Sequence, residues 1–278
     1  MAGRVAGVAP SLVVWNRTSE VATAFADGHP GVRAAPTPAE AAREAELIVV
    51  MLADGPVMEA ALFGPNGAAG TLRPGSVVVD MGTSGPESVA RAAEILAEQG
   101  VSLVDAPVSG SVPAARSGTL TVMAGGTDDA YARARPVLET MARHVVHVGP
   151  QGSGAALKLC VNAALFTLNA GLSEALVVAE RSGVDRAAAY AVLLESAVAA
   201  PYLRYKEAAF LDPDATPVAF SLDLVAKDAD LAAALAAGVG ADVPVLQAVA
   251  EEVEAARAAG LGSSDMSALA AFLRAQES

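Results

Sequence analysis

Lys158 and Asn162 stand one helical turn apart in Gly149-Pro-Gln-Gly-Ser-Gly-Ala-Ala-Leu-Lys-Leu-Cys-Val-Asn162, a Gly-rich turn that opens an otherwise apolar helix. With about 100° of rotation per residue, Lys158, Asn162, Asn169 and Ser173 fall in a stripe roughly 60° wide. Leu, Val, Phe and Ala cover the rest. The pattern predicts a buried helix with one wet edge. An ammonium buried without partners is costly, so Lys158 is expected to face a polar cleft or an anionic ligand. In a cleft it is a candidate proton donor. Taken alone, a lysine on a helix is more often simply solvated, so the reading depends on what else the chain carries.

Two loops and one helix add to it. Leu12-Val-Val-Trp-Asn-Arg-Thr18 is a strand followed by Asn16, Arg17 and Thr18. An acid at the end of such a strand would bind ribose hydroxyls. These three side chains instead offer donors suited to a 2′-phosphate, which favours NADP with NAD as the alternative. In Ala106-Pro-Val-Ser-Gly-Ser-Val-Pro113, the residues Ser109, Gly110 and Ser111 offer hydroxyl and backbone N–H donors to an anion such as a substrate carboxylate. Lys227-Asp228 lies in a predicted helix, Phe220 to Leu231, where a lysine by itself is more often a solvated charge. Gly262 to Leu269 reads as a structural helix start. The histidines at 29, 144 and 147 are scattered and suggest no metal site.

The elements that must position these residues follow a simple order. Strands are predicted at Leu12–Trp15, Leu47–Leu52, Val77–Met81, Ser102–Ala106, Leu120–Ala124 and Val145–Val148, alternating with Ala- and Glu-rich helices. Thr37-Pro38-Ala39-Glu40 has a capping residue, a first-turn proline and a glutamate that completes a capping box. Such alternation implies a mostly parallel, doubly wound α/β sheet whose ligands gather at the carboxyl ends of the strands. Beyond Gly149 the strand pattern stops. Breaks near Gly183-Val-Asp185, Asp212-Pro-Asp214, Gly238-Val-Gly240 and Gly260-Leu-Gly262 divide an all-α remainder. Two domains are expected, 1–150 for a dinucleotide and 151–278 for substrate and dimerisation.

The chain has 278 residues, 53% hydrophobic and 18% charged, enough for a sizeable core. Its formal charge of -13 argues against binding a phosphate backbone, so no nucleic-acid partner is expected. Cys160 has no intrachain mate, which fits a reducing, cytoplasmic setting, and it reads as a small core hydrophobe. The run from Ala155 to Ala179 is long enough to span a membrane. Lys158, Asn162, Asn169, Ser173 and Glu174 interrupt it, so a buried helix and no membrane partner are expected. The first ten residues lead into a strand without a convincing cleavage site, so no signal peptide is expected.

These segments resemble, in order, the β-hydroxyacid dehydrogenase family, which includes 3-hydroxyisobutyrate dehydrogenases and glyoxylate or succinic semialdehyde reductases. The likeness rests on Trp15-Asn-Arg-Thr18, Asp80-Met-Gly-Thr83, Asp105-Ala-Pro-Val-Ser-Gly110, Gly152-Ser-Gly154 with Lys158 and Asn162, Lys227-Asp228, and Asp265-Met-Ser-Ala-Leu269. It implies a Rossmann-type sheet followed by an all-α domain of the kind found at the C-terminus of 6-phosphogluconate dehydrogenase, and a homodimer or homotetramer. It further implies a catalytic lysine at Lys158 with Asn162 beside it, substrate-carboxylate contacts at Ser109 and Gly110, and nicotinamide-side contacts at Leu52, Ala53, Thr83 and Lys227. The reaction implied is hydride transfer between NADP(H) and a small carboxylate-bearing hydroxyacid or semialdehyde. Imine reductases share the architecture but usually carry Asp or Tyr in place of Lys158. The loop from Asp105 to Leu120 is closer to the semialdehyde reductase branch.

Two departures stand out. Gly82 replaces a serine common in the family before Thr83, and the front lacks the strand and Gly-x-Gly-x-x-Gly turn that approach the pyrophosphate. On the order of fifteen residues are expected upstream of Met1, one central strand and its turn. Without them the neighbouring strands would keep unpaired backbone groups. The alternative reading is a catalytically impaired, dimeric binding or sensing paralogue with a truncated nucleotide fold.

Overall fold

Val77-Val-Val-Asp80 is buried along its whole length, as a strand covered on both faces must be. The computed structural model describes residues 1–276 and divides into two units, Met1–Lys158 and the chain from Leu159 onward. The first unit holds β1 (Leu12–Val14), β2 (Val32–Ala34), β3 (Leu47–Val50), β4 (Val77–Asp80), β5 (Ser102–Asp105), β6 (Val108–Ser109), β7 (Leu120–Gly125) and β8 (Ala142–Gly149). Strands β3, β4 and β5 pair in parallel; β7 runs antiparallel to β5 and β6 and parallel to β8. β1 and β2 form a separate parallel pair.

Alternation along β4 and β5 divides the core in two. Val77, Val79 and Val104 pack with Ala134, Leu138 and Met141 of the helix Asp128–Met141, and with Val5 of the helix Ala2–Ala6. Val78 and Leu103 point the other way, onto Met58 and Leu62 of Gly55–Phe63 and Val89 and Leu96 of Pro86–Ala97. Caps mark several helix starts: Thr37 Oγ1 accepts from the Glu40 N–H at 3.1 Å, Asp54 from Val57 and Thr127 from Ala130.

Among the described residues β1 pairs only with β2, and β3 only with β4. Leu12 and Leu47 nevertheless pack on one shared apolar cluster, so the seam between the two sheets lies over a common core. Val49 of β3 and the following Met51 are 37% and 53% exposed. β2 and β6 have no counterpart among the expected strands. They are three and two residues long, too short to show a period.

The second unit is all helix: the long helix Ser153–Arg181, named αL here, enters it, followed by Arg186–Leu194, Pro201–Leu211, Leu222–Gly238, Pro244–Ala256 and Ala268–Ala275. Phe166, Leu176, Tyr190, Leu203, Leu222 and Val253 centre its core. αL is the one helix among the described residues long and apolar enough to cross a membrane, and Leu159, Phe166 and Leu176 of it are buried in this core.

The expected wet edge of αL is reversed. Asn162, Asn169 and Ser173 are buried, because distant groups satisfy them. Asn169 donates from Nδ2 to the Met266 carbonyl and accepts from Tyr202 Oη at 2.6 Å; Ser173 Oγ donates to the Asn169 carbonyl. Cys160, expected in the core, is exposed. With Leu157, Ala164, Gly171, Glu174, Ala175 and Val178 it lies on the exposed side of αL. The break at 195–200 is not among the expected ones; it carries no glycine or aspartate, and its one punctuation residue is Pro201, which opens the next helix.

Candidate active site

The polar loops of the first unit leave the carboxyl ends of its strands. After β1, Asn16, Arg17 and Thr18 are exposed. Asn16 Oδ1 accepts from the Thr18 N–H at 2.9 Å, a turn that occupies its oxygen and leaves the Arg17 guanidinium in the open. After β3, Leu52 is half-buried and Ala53 exposed, and Asp54 caps the next helix.

The loops after β3 and β4 meet backbone to backbone. A Cβ on Gly82 would lie 2.6 Å from the Leu52 carbonyl oxygen, and one on Gly55 would lie 2.7 Å from that of Ser84. These glycines permit a contact that no side chain would allow. The Gly82 N–H donates to Asp80 Oδ1 at 3.1 Å, and half-buried Thr83 follows it. Gly82 therefore answers a packing demand, whatever hydroxyl its family counterpart supplies.

The substrate-loop candidates begin on β6. Ser109 ends that strand opposite Thr121 of β7 and is half-buried. Gly110 has φ of 127°, and a Cβ there would lie 2.9 Å from Leu120 Cδ2, so only glycine fits. Ser111 occupies the cap position of the short helix Val112–Ser117 without a side-chain capping bond.

In the second unit Asn162 and Asp228 are both almost fully buried, and Asn162 Nδ2 donates to Asp228 Oδ2 at 2.6 Å. Lys227 Nζ lies 2.7 Å from Asp228 Oδ1, its side chain 25% exposed. The carboxylate thus holds an amide on one oxygen and an ammonium on the other. Lys158 is half-buried on αL, one turn before Asn162.

Sequence reasoning passed over Asp228 as a site residue and over Lys206, whose buried ammonium contacts Asp265 at 2.5 and 2.6 Å. The signal was available. Asp228 sits between Val225, Ala229 and Ala232 on the buried face of its helix, and a carboxylate there requires donors. No cluster of three metal-ligating side chains occurs among the described residues.

A Rossmann-like sheet with polar strand-end loops, joined to a helical unit, defines a nicotinamide-dependent oxidoreductase. Residues 1–149 match the family model described as the NAD binding domain of 6-phosphogluconate dehydrogenase. Residues 152–273 match that of the NAD-binding part of NADP-dependent 3-hydroxyisobutyrate dehydrogenase. The chain is 33% identical over 241 residues to 2-(hydroxymethyl)glutarate dehydrogenase of Eubacterium barkeri, covering 86% of this chain and 79% of that one. It is 30% identical over 267 residues to the chloroplastic glyoxylate/succinic semialdehyde reductase 2 of Arabidopsis thaliana, covering 96% and 74%. The solved 3-hydroxyisobutyrate dehydrogenase of Mycobacterium tuberculosis with L-serine aligns with a TM-score of 0.83 at 28% identity, over 99% of this chain and 94% of the other. This chain belongs to the β-hydroxyacid dehydrogenase family, hydride-transfer oxidoreductases that use NAD or NADP.

Proposed function

We propose that the protein interconverts a small β-hydroxyacid and its semialdehyde or keto partner with NADP(H), and that Lys158 is the general acid and base. The observation that carries this is the half-buried Lys158 one turn from Asn162, whose amide Asp228 holds in place. An amine at that place can give up and regain a proton at the substrate oxygen. In the reductive direction the ammonium stabilises charge developing on that oxygen and then donates to it. Ser109, Gly110 and Ser111 hold the substrate carboxylate, and Lys227 supplies a positive charge to the substrate or to the cofactor.

The residues present fit a dinucleotide. The exposed Arg17 suits a 2′-phosphate, and Gly82 leaves a side-chain-free floor between the loops bearing Leu52, Ala53 and Thr83. When bound, the nicotinamide supplies or accepts the hydride. The semialdehyde branch is favoured by the loop from Asp105 to Leu120. The protein works in the cytoplasm as a homodimer or homotetramer, with neither nucleic acid nor membrane as a partner. The exposed residues of αL between Cys160 and Val178, small or apolar apart from Glu174, support self-association, and the net charge of -13 supports the absence of a nucleic-acid partner.

The test is NADPH oxidation at 340 nm over a panel of short semialdehydes and glyoxylate, with Lys158→Met alongside. Turnover in the variant is expected to fall by roughly two to four orders of magnitude with NADPH affinity nearly intact. Wild-type turnover in Lys158→Met rejects the assignment. Quenching of Trp15, next to Asn16, reports cofactor binding in the same samples, and its absence favours the impaired paralogue.

A further inference from the structure

The Asp105 side chain is fully buried at the end of β5, and its carboxylate holds the start of αL. Oδ1 accepts from the Gly152 N–H at 2.8 Å and from Gln151 Nε2 at 3.0 Å, and Oδ2 accepts from the Ala155 N–H at 2.8 Å. Burial pushes this carboxyl above its ordinary range, and the N–H groups of Gly152 and Ala155 work against that rise.

The backbone around it is packed as closely. Gly125 of β7 stands opposite Asp105 in the sheet, and a Cβ there would lie 2.8 Å from both carboxylate oxygens and from the Gly154 nitrogen. A Cβ on Gly154 would strike the carbonyls of Met123 and Asp105. The ends of β5 and β7 and the first turn of αL therefore meet with no side chain between them.

From this joint the chain leads in two directions. Four residues after Asp105 comes Ser109, and three residues after Ala155 comes Lys158. We propose that Asp105 is a positioning residue. Its carboxylate ties the strand that leads to the substrate-carboxylate loop to the helical turn that precedes the catalytic amine. The inference rests on the reading of Lys158 as general acid and base.

A helix start has N–H groups without intrahelical acceptors and frays unless something accepts from them. Asp105 serves as that acceptor from outside the helix, and its negative charge suits the positive end of the helix dipole. Asparagine in its place would aim an NH2 group at one of the donors, so a near-isosteric change breaks the joint.

The experiment is Asp105→Asn in the full chain. Cooperative melting and an unchanged KM for NADPH are expected, with kcat down by ~10- to 100-fold, as for a misplacement of about 1 Å. The limb of the pH–rate profile governed by Lys158 is expected to move, which a merely structural role would not cause. A folded Asp105→Asn with wild-type kcat and pH profile overturns the proposal. Should it not fold, Gln151→Ala removes one donor and leaves the carboxylate. Faster amide exchange at Gly152 and Ala155 with reduced kcat is then expected, and either quantity at its wild-type value overturns the proposal. Full turnover in Lys158→Met sinks the lysine's role, whereas an inactive Lys158→Met beside an unaltered Asp105→Asn sinks only the joint.

Discussion

Removing either partner of the buried Lys206–Asp265 pair in the helical unit tests whether the surrounding donors, rather than the ion pair alone, set its strength. The two side chains are 4% and 10% exposed, and Nζ reaches both carboxylate oxygens. Asp265 has other donors: the N–H groups of Ala219 at 2.9 Å, Phe220 at 3.2 Å and Ser267 at 3.1 Å, and Ser267 Oγ at 3.0 Å. Among the described residues Lys206 bonds to Asp265 alone. Asp265→Ala thus strands a buried ammonium and several backbone donors, for a loss of about 3–5 kcal/mol. Lys206→Met leaves a carboxylate still holding its donors and loses only about 1–3 kcal/mol. At about 2 kcal/mol per M of urea, the midpoints fall by roughly 2 M and 1 M. The assay is urea unfolding followed by near-UV circular dichroism of Tyr190 and Tyr202, buried in this unit, since the one tryptophan, Trp15, lies in the other. The double variant is expected to be more stable than Asp265→Ala. Equal losses in the two single variants would refute the reasoning. The pH dependence follows. Burial raises the Asp265 carboxyl, but the bond and charge of Lys206, together with the N–H groups of Ala219 and Ser267, more than reverse this and hold it below its ordinary value. A folded-state value below the unfolded one means stability present above about pH 4 and lost as pH falls through the lower value, and Lys206→Met moves that loss to higher pH.

Gly82→Ser, which restores the family's commoner residue, is expected to destabilise by about 1–3 kcal/mol because its Cβ meets the Leu52 carbonyl; an unchanged melting temperature would contradict the close contact. Arg17→Ala should raise KM for NADPH by ~10- to 100-fold and leave NADH kinetics alone, and equal effects on the two cofactors would remove Arg17 from the 2′-phosphate. Asn162→Asp sets a second carboxylate against Asp228 in place of a 2.6 Å donor. One of the two must then bind a proton more readily in the folded state than in the unfolded, so this variant gains more stability than the wild type as pH falls, as melts of both from pH 8 to 5 would show.

Much of the fold was legible where periodicity had room to act. Val77-Val-Val-Asp80 and Leu47-Ile-Val-Val50 announce strands, and Thr37 announces a cap that the structure forms. β2 and β6 were not legible, since two or three residues between turns owe their pairing to neighbours rather than to their own pattern. αL shows the sharper limit. A polar stripe on an apolar helix reads as its solvent edge unless tertiary partners are known. Asn169 is buried because Tyr202 and Met266, remote in sequence, satisfy it. The same holds for Asp105: the motif marked the loop that follows it, while its own bonds reach Gln151, Gly152 and Ala155.

The seam between β1 and β3 bears on how the molecule opens. Among the described residues no ladder bond joins the β1–β2 ribbon to the larger sheet, and at that boundary Leu12 and Leu47 pack on one apolar cluster. Such a segment is a natural first unit to exchange its amides or meet a protease in the native ensemble. It also carries Arg17, so on the cofactor role proposed for that side chain a bound dinucleotide would act there as a local fastener.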